Sequence, residues 1–209
     1  MNFSDTDLAS LRDSVGARLS EKRFIHVLGV ERCAKRLGEA LLPELVGELR
    51  AAALLHDIAK EIPISEQLDI LRAANEPLDE DDLKSEGVIH SFAAPLIIIR
   101  DFPKFATDDI LSATRNHTVG VVNMTVFDKI VFISDYVEDT RIFQSCVTVR
   151  GMLFDGFEKM NYEEALKRLN ESCIAAIDGA NEALTRMNKH INPKVFETRK
   201  SLLKEILQT

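Results

Sequence analysis

Residues 129–138 read KIVFISDYVE, and how this stretch folds decides the class of the protein. Its β-branched content would suit a strand. Phe127, Ile130, Val131 and Ser134, however, fall on one helical stripe, and no other segment offers a partner strand. The stretch is predicted as helix, and the fold class becomes all-α. An aspartate, Asp135, interrupts its apolar run.

Outward from there, the rest of the chain agrees. Gly and Pro are sparse and act as punctuation. Val27, Leu28, Val30, Ala34 and Leu37 follow helical spacing. A helix is predicted from about Leu45 to Ala59, stopping before Pro63. Ser65 reads as the N-cap of a further helix that ends before Pro77. The acidic run at 79–82 reads as a solvated loop or a helix start, without functional weight. Helices follow over His90–Arg100, where Pro95 implies a kink or a later start, and from Thr107 or Asp108 to Asn116. Gly120 marks a break. Residues 161–187 and the segment after Pro193 complete the pattern. Residues 1–209 are expected to form one compact helical bundle, with its core over about 20–200 and a short N-terminal helical extension.

Composition excludes several function classes. The chain has 209 residues, 45% of them apolar, so it can bury a core. A formal net charge of -8 argues against direct nucleic-acid binding through phosphates. Three scattered cysteines without a CxxC argue against a disulfide framework and for a reducing compartment. The acidic start MNFSDTDLASLRDSV is no signal peptide, and runs such as PLIII at 95–99 are too short to span a bilayer. A cytoplasmic protein without membrane contact is expected. A homodimer is left open.

Five histidines occur, and four sit in or beside apolar helical stretches: His26 in RFIHVLGV, His56 in LLHDIAK, His90 in VIHSFAA and His117 in SATRNHTVG. Asp57 and Asp135 lie in the same kind of setting. One such histidine is ordinarily a packed or surface residue. Four of them with two carboxylates satisfy one another most economically around a cation. Imidazole and carboxylate ligands without cysteine suit Fe, Mn, Co or Zn in a non-structural site. Lys60 lies three residues from Asp57 and four from His56, which puts an ammonium on their side of the helix. It suits an anion held by the metal, such as phosphate.

His26, His56-Asp57 and Asp135, in that order, resemble the H…HD…D signature of the HD-domain phosphohydrolases. RFIHVLGV, LLHDIAK, IHSFAA, NHTVG, DKIVFISDYVEDTR and the INP turn resemble the YqeK group of bacterial proteins over roughly residues 20–200. One departure is VVNM after HTVG, where the group carries a more polar, glycine-rich segment. The resemblance implies symmetrical cleavage of diadenosine tetraphosphate into two ADP. It implies a transition metal held by His26, His56, Asp57 and Asp135, iron first, with manganese or cobalt as alternatives. One or two ions are implied, because His90 and His117 match positions that hold a second metal, contact phosphate or protonate the leaving group. Catalytic roles are expected for Asp57, Lys60, His90 and His117. Substrate contacts are expected from Arg23, His26, Lys60, His90, His117, Thr118, Asp135 and Arg141, with His190 and Asn192 closing over a nucleoside or forming a plain helix cap. Glu138, one turn from Asp135, reads as a partner of Arg141 or of a histidine rather than a ligand. The alternatives are a nucleotidase acting on nucleoside monophosphates and a nucleotide sensor without turnover.

Overall fold

The computed structural model describes residues 3–208. Among them eleven α-helices form and no strand. They are α1 (Asp5–Gly16), α2 (Glu21–Leu41), α3 (Val46–Leu55), α4 (Ile64–Ala73), α5 (Glu80–Lys84), α6 (Ile89–Asp101), α7 (Asp108–Asn116), α8 (Val126–Val137), α9 (Gln144–Phe154), α10 (Tyr162–Arg186) and α11 (Lys194–Gln208). The ambiguous stretch KIVFISDYVE lies in α8 and its C-terminal cap, so the helical stripe prevails over β propensity.

Local chemistry starts most of these helices. Ser4, Thr125 and Asn161 form capping boxes with Asp7, Asp128 and Glu164. Ser20 and Thr107 cap α2 and α7 by accepting from Arg23 and Ile110 N–H. Three boundaries differ from expectation. The α4 helix starts at Ile64 behind Pro63, not at Ser65. The α6 helix runs from Ile89 through Pro95, so Pro95 does not delay its start. The α3 helix stops at Leu55, and residues 56–61 continue as tight turns.

Helix α3 is the centre of the bundle. Leu49, Ala51, Ala52, Ala53, Leu54 and Leu55 are fully buried, the pattern of a helix covered on all sides. The alanines let neighbours approach, and α2, α7, α8 and α1 pack around them. Val27, Val30, Leu37, Ile130, Ile133, Leu169 and Cys173 extend the same core. Each large aliphatic side chain so buried contributes about 1.5–3 kcal/mol. The N-terminal helix is no loose appendage: Leu8, Leu11 and Val15 belong to this core. Gly120 has φ 70°, a left-handed conformation that favours glycine, and it ends the HTVG segment with a sharp turn.

Candidate metal centre

The polar residues singled out above converge where helix ends meet the N-terminal half of α2. His26 projects from the second turn of α2. His56 caps the C-terminus of α3, and Asp57 follows it. His90 is the second residue of α6, His117 caps α7, and Asp135 sits in the last turn of α8. The turn after α3 is built from i to i+3 hydrogen bonds, Ile58 N–H to Leu55 O at 3.1 Å and Lys60 N–H to Asp57 O at 2.9 Å. Three residues per turn place Asp57 and Lys60 one above the other.

Asp57 stands between two groups of imidazoles. Its Oδ2 lies 3.7 Å from His26 Nε2 and 3.6 Å from His56 Nε2. Its Oδ1 lies 3.1 Å from His90 Nε2 and 3.7 Å from His117 Nε2. Asp135 closes the first group, with Oδ1 3.1 Å from His26 Nε2 and 3.8 Å from His56 Nε2. His56, Asp57, His90 and His117 are all buried.

The ring orientations are fixed from behind. His56 Nδ1–H donates to Ala53 O and His117 Nδ1–H to Thr114 O, both at 2.7 Å. His26 Nδ1–H donates instead to the Glu138 carboxylate at 3.1 Å. In the neutral ring each such bond leaves the lone pair on Nε2. His26 Nε2 and His56 Nε2 are buried and have no hydrogen-bond partner. Two such nitrogens facing two carboxylates fit a metal ion, which would take the place of any proton on them, since buried polar atoms are otherwise paired. His26, His56 and Asp57 bring one ligand atom each within 4.8 Å of the others, as do His56, His117 and Asp135, and Asp57, His90 and His117.

The second histidine pair differs. His90 Nε2 and His117 Nε2 lie 3.0 Å apart, and Lys60 Nζ lies 3.2 Å from His90 Nδ1 and 3.2 Å from Gly87 O. A donor at His90 Nδ1 puts the ring proton on Nε2, where it meets the lone pair of His117. These rings satisfy each other without an ion.

Electrostatics follow from burial and pairing. Burial opposes charge on Asp57 and Asp135, yet His56 acting on Asp57 and Arg141 acting on Asp135 hold both carboxyls well below the usual range. Burial also opposes charge on His26, but Asp135 and Glu138 outweigh it and raise its pKa to about 9. Burial pushes His56 and His90 down to about 4, against the pull of Asp57, so both are neutral near pH 7. It lowers Lys60 as well, with Asp57 opposing.

Arg23 and Arg141 flank the centre. Arg23 Nη1 donates to Asp57 Oδ2 at 2.7 Å, and Arg141 Nη2 donates to Asp135 Oδ1 at 2.6 Å. Thr118 Oγ1 shares a 3.1 Å hydrogen bond with Ser91 Oγ. His190 and Asn192 stand apart from the cluster. His190 pairs with Asp81 at 3.1 Å; Asn192 donates to Asp82 and accepts from Lys194 N–H. The acidic run expected to be solvated contains the buried Asp82, held by Asn192 and Lys194. His190 and Asn192 still line a cavity of about 450 Å³ together with Gly87, Val88 and Thr118. A larger cavity of about 970 Å³ opens at Tyr136, Arg141, Phe143 and Gly179. Sequence reasoning missed the residues that hold the loop after α8. Arg150 donates to Val137 O, Glu138 O and Arg141 O at 2.6–2.7 Å. No motif marks it, because its partners are backbone carbonyls.

Comparison with known proteins gives one consistent picture. Residues 23–140 match the family described as HD domain. The chain is 29% identical to the symmetrical bis(5'-nucleosyl)-tetraphosphatase of Bacillus subtilis (strain 168), covering 88% of this chain and 91% of that one. It is also 29% identical to the protein of the same name from Halalkalibacterium halodurans, over 91% and 94% of the two chains. The crystal structure of a predicted HD superfamily hydrolase involved in NAD metabolism from Clostridium acetobutylicum superposes with a TM-score of 0.80. That match has 25% identity and covers 98% of this chain and all of the other. No described helix is long and apolar enough to cross a membrane.

Proposed function

The chain belongs to the HD-domain family, and on that premise we propose that it is a metal-dependent hydrolase cleaving diadenosine tetraphosphate symmetrically into two ADP in the cytoplasm. The observation that carries the metal half of this reading is the pair of orphaned imidazole nitrogens, His26 Nε2 and His56 Nε2, facing Asp57 and Asp135. These four residues would hold one ion, with iron the first candidate and manganese or cobalt next. When bound, a metal supplies Lewis-acid charge and makes water a nucleophile near neutral pH.

The protein's own groups do the rest. Arg23, Lys60 and Arg141 are cations around the carboxylate pair, placed to neutralise charge on phosphoryl oxygens. His90 is neutral, and its Nε2 proton lies within reach of His117 Nε2 at 3.0 Å and of Asp57 Oδ1 at 3.1 Å. It is the group we assign to donate a hydrogen bond to the reacting phosphate, turning to it the N–H that otherwise faces His117.

The two cavities beside the centre support a substrate with two nucleoside ends. One reaches it through Thr118 and Gly87, the other through Arg141. With an ADP-sized half on each side, the middle bridge of the phosphate chain lies over the centre. Water oxygen bonds to one of the two inner phosphorus atoms and gives up a proton to solvent. The bridging P–O bond breaks, and the departing ADP leaves with the electron pair.

Product analysis in oxygen-18 water tests the reading. Two ADP per substrate are expected, with label in one of them. A mixture of ATP and AMP, or orthophosphate released faster from AMP, would reject it in favour of the nucleotidase. Tight binding without products would make the chain a sensor.

A further inference from the structure

Of the four imidazoles, His26 differs in what stands behind it. His56 and His117 lean on backbone carbonyls, whereas His26 Nδ1 leans on the Glu138 carboxylate. Glu138 is almost wholly buried and saturated. Its Oε1 accepts from His26 and from Thr140 Oγ1 at 2.6 Å, and its Oε2 accepts from Thr140 N–H at 2.7 Å. A carboxylate in this place is costly unless its position is enforced.

Two residues outside the centre enforce it. Arg150 grips the backbone on either side through Val137 O, Glu138 O and Arg141 O. Gly29 makes room for the side chain. It lies three residues after His26 on α2, and a Cβ there would stand 2.3 Å from Glu138 Oε2 and 3.1 Å from Asp139 Oδ1, the end of an exposed side chain that can give way. That oxygen belongs to a carboxylate pinned by Thr140, so it cannot swing aside freely. Glycine within a helix weakens the helix relative to alanine. Its presence in the middle of α2 is explained by the carboxylate lying against the helix backbone.

We propose that Gly29 and Glu138 form a positioning pair: Gly29 opens the seat, and Glu138 in that seat orients His26 as a ligand. Carboxylates behind metal-bound imidazoles fix the tautomer and strengthen the ligand, and their removal loosens metal about 10–100-fold. The proposal rests on the metal assignment above, and its test separates the two.

Cobalt(II) affinity of the metal-free full chain, measured by calorimetry and by the visible spectrum of the bound ion, is the readout. His56→Ala is the control for the metal assignment. If it leaves cobalt affinity unchanged, that assignment fails and this inference with it. Glu138→Ala and Gly29→Ala are each expected to weaken cobalt binding about 10-fold or more. Their effects are not additive: once Glu138 is gone, Gly29→Ala costs nothing further, and the double variant binds as Glu138→Ala does. Metal-free melting of the double variant should match Glu138→Ala or exceed it, since alanine favours the helix. Should Gly29→Ala alone fail to fold, recovery of folding in the double variant still supports the clash. Equal losses from Gly29→Ala with and without Glu138 would overturn the seat. So would unchanged cobalt affinity in Glu138→Ala while His56→Ala loses it.

Discussion

His26 and Glu31 are five residues apart on α2, both buried, and they belong to opposite kinds of polar cluster. Glu31 is closed. Arg12 Nε donates to Oε2 at 2.7 Å, Arg12 Nη2 donates to Oε1, and Arg50 Nε donates to Oε1 at 3.0 Å. Every oxygen is used, and the result ties α1 and α3 to α2. The His26 cluster is open. Its carboxylates are paired with arginines, yet His26 Nε2 and His56 Nε2 face inward with nothing to bind. A satisfied network serves the fold, and an unsatisfied one at the same depth awaits a ligand.

The sharpest way to break this contrast is Asp57→Ala. It should abolish metal binding and hydrolysis together, because Asp57 serves both sides of the centre. Metal analysis with a turnover assay checks it; an active variant with full metal content would remove the contrast. Lys60→Ala comes next. It should keep metal stoichiometry and lose about 10²–10³-fold in rate, the cost of a contact made to the developing charge. Loss of metal as well would mean that Lys60 supports the ligands instead. Glu31→Ala probes the closed cluster and should do the reverse. Removing the anion leaves Arg12 and Arg50 partly buried without it, costing about 3 kcal/mol in denaturant unfolding of the metal-free chain. Its cobalt affinity should match that of the unaltered protein. Smallest of all is Asp5→Ala. Asp5 meets Arg50 at the exposed end of the same network and should leave the unfolding midpoint where it is.

The same contrast explains what was legible in the sequence. His56, His90, His117 and Asp57 stand out because polar residues interrupt apolar helical runs, and that signal is local. Glu31 lies in α2 too but carries no such mark, since charged residues surround it in VERCAKR. The all-α class was legible from the stripe through Ile130, Val131 and Ser134. The shortened α3 was not, because the tightening at residues 56–61 comes from packing around Asp57 and not from any breaker residue. Gly29 and Arg150 were silent for another reason. Gly29 acts on a carboxylate over 100 residues away, and Arg150 acts on backbone carbonyls, which carry no sequence signal.

The centre is made from helix ends, and this has a consequence for changes in chain length. Helices α3 and α8 act as rulers whose last mark is a ligand. Deleting one residue inside α3 would turn His56 and Asp57 by about 100° and draw them back about 1.5 Å. Between Asp57 and His90 the chain instead leaves the centre through α4 and α5 and returns at the start of α6. An insertion in the exposed link near Asn75 changes the length of that excursion but not where either ruler ends. Variation in length can therefore accumulate there while the spacing within α3 and α8 stays invariant.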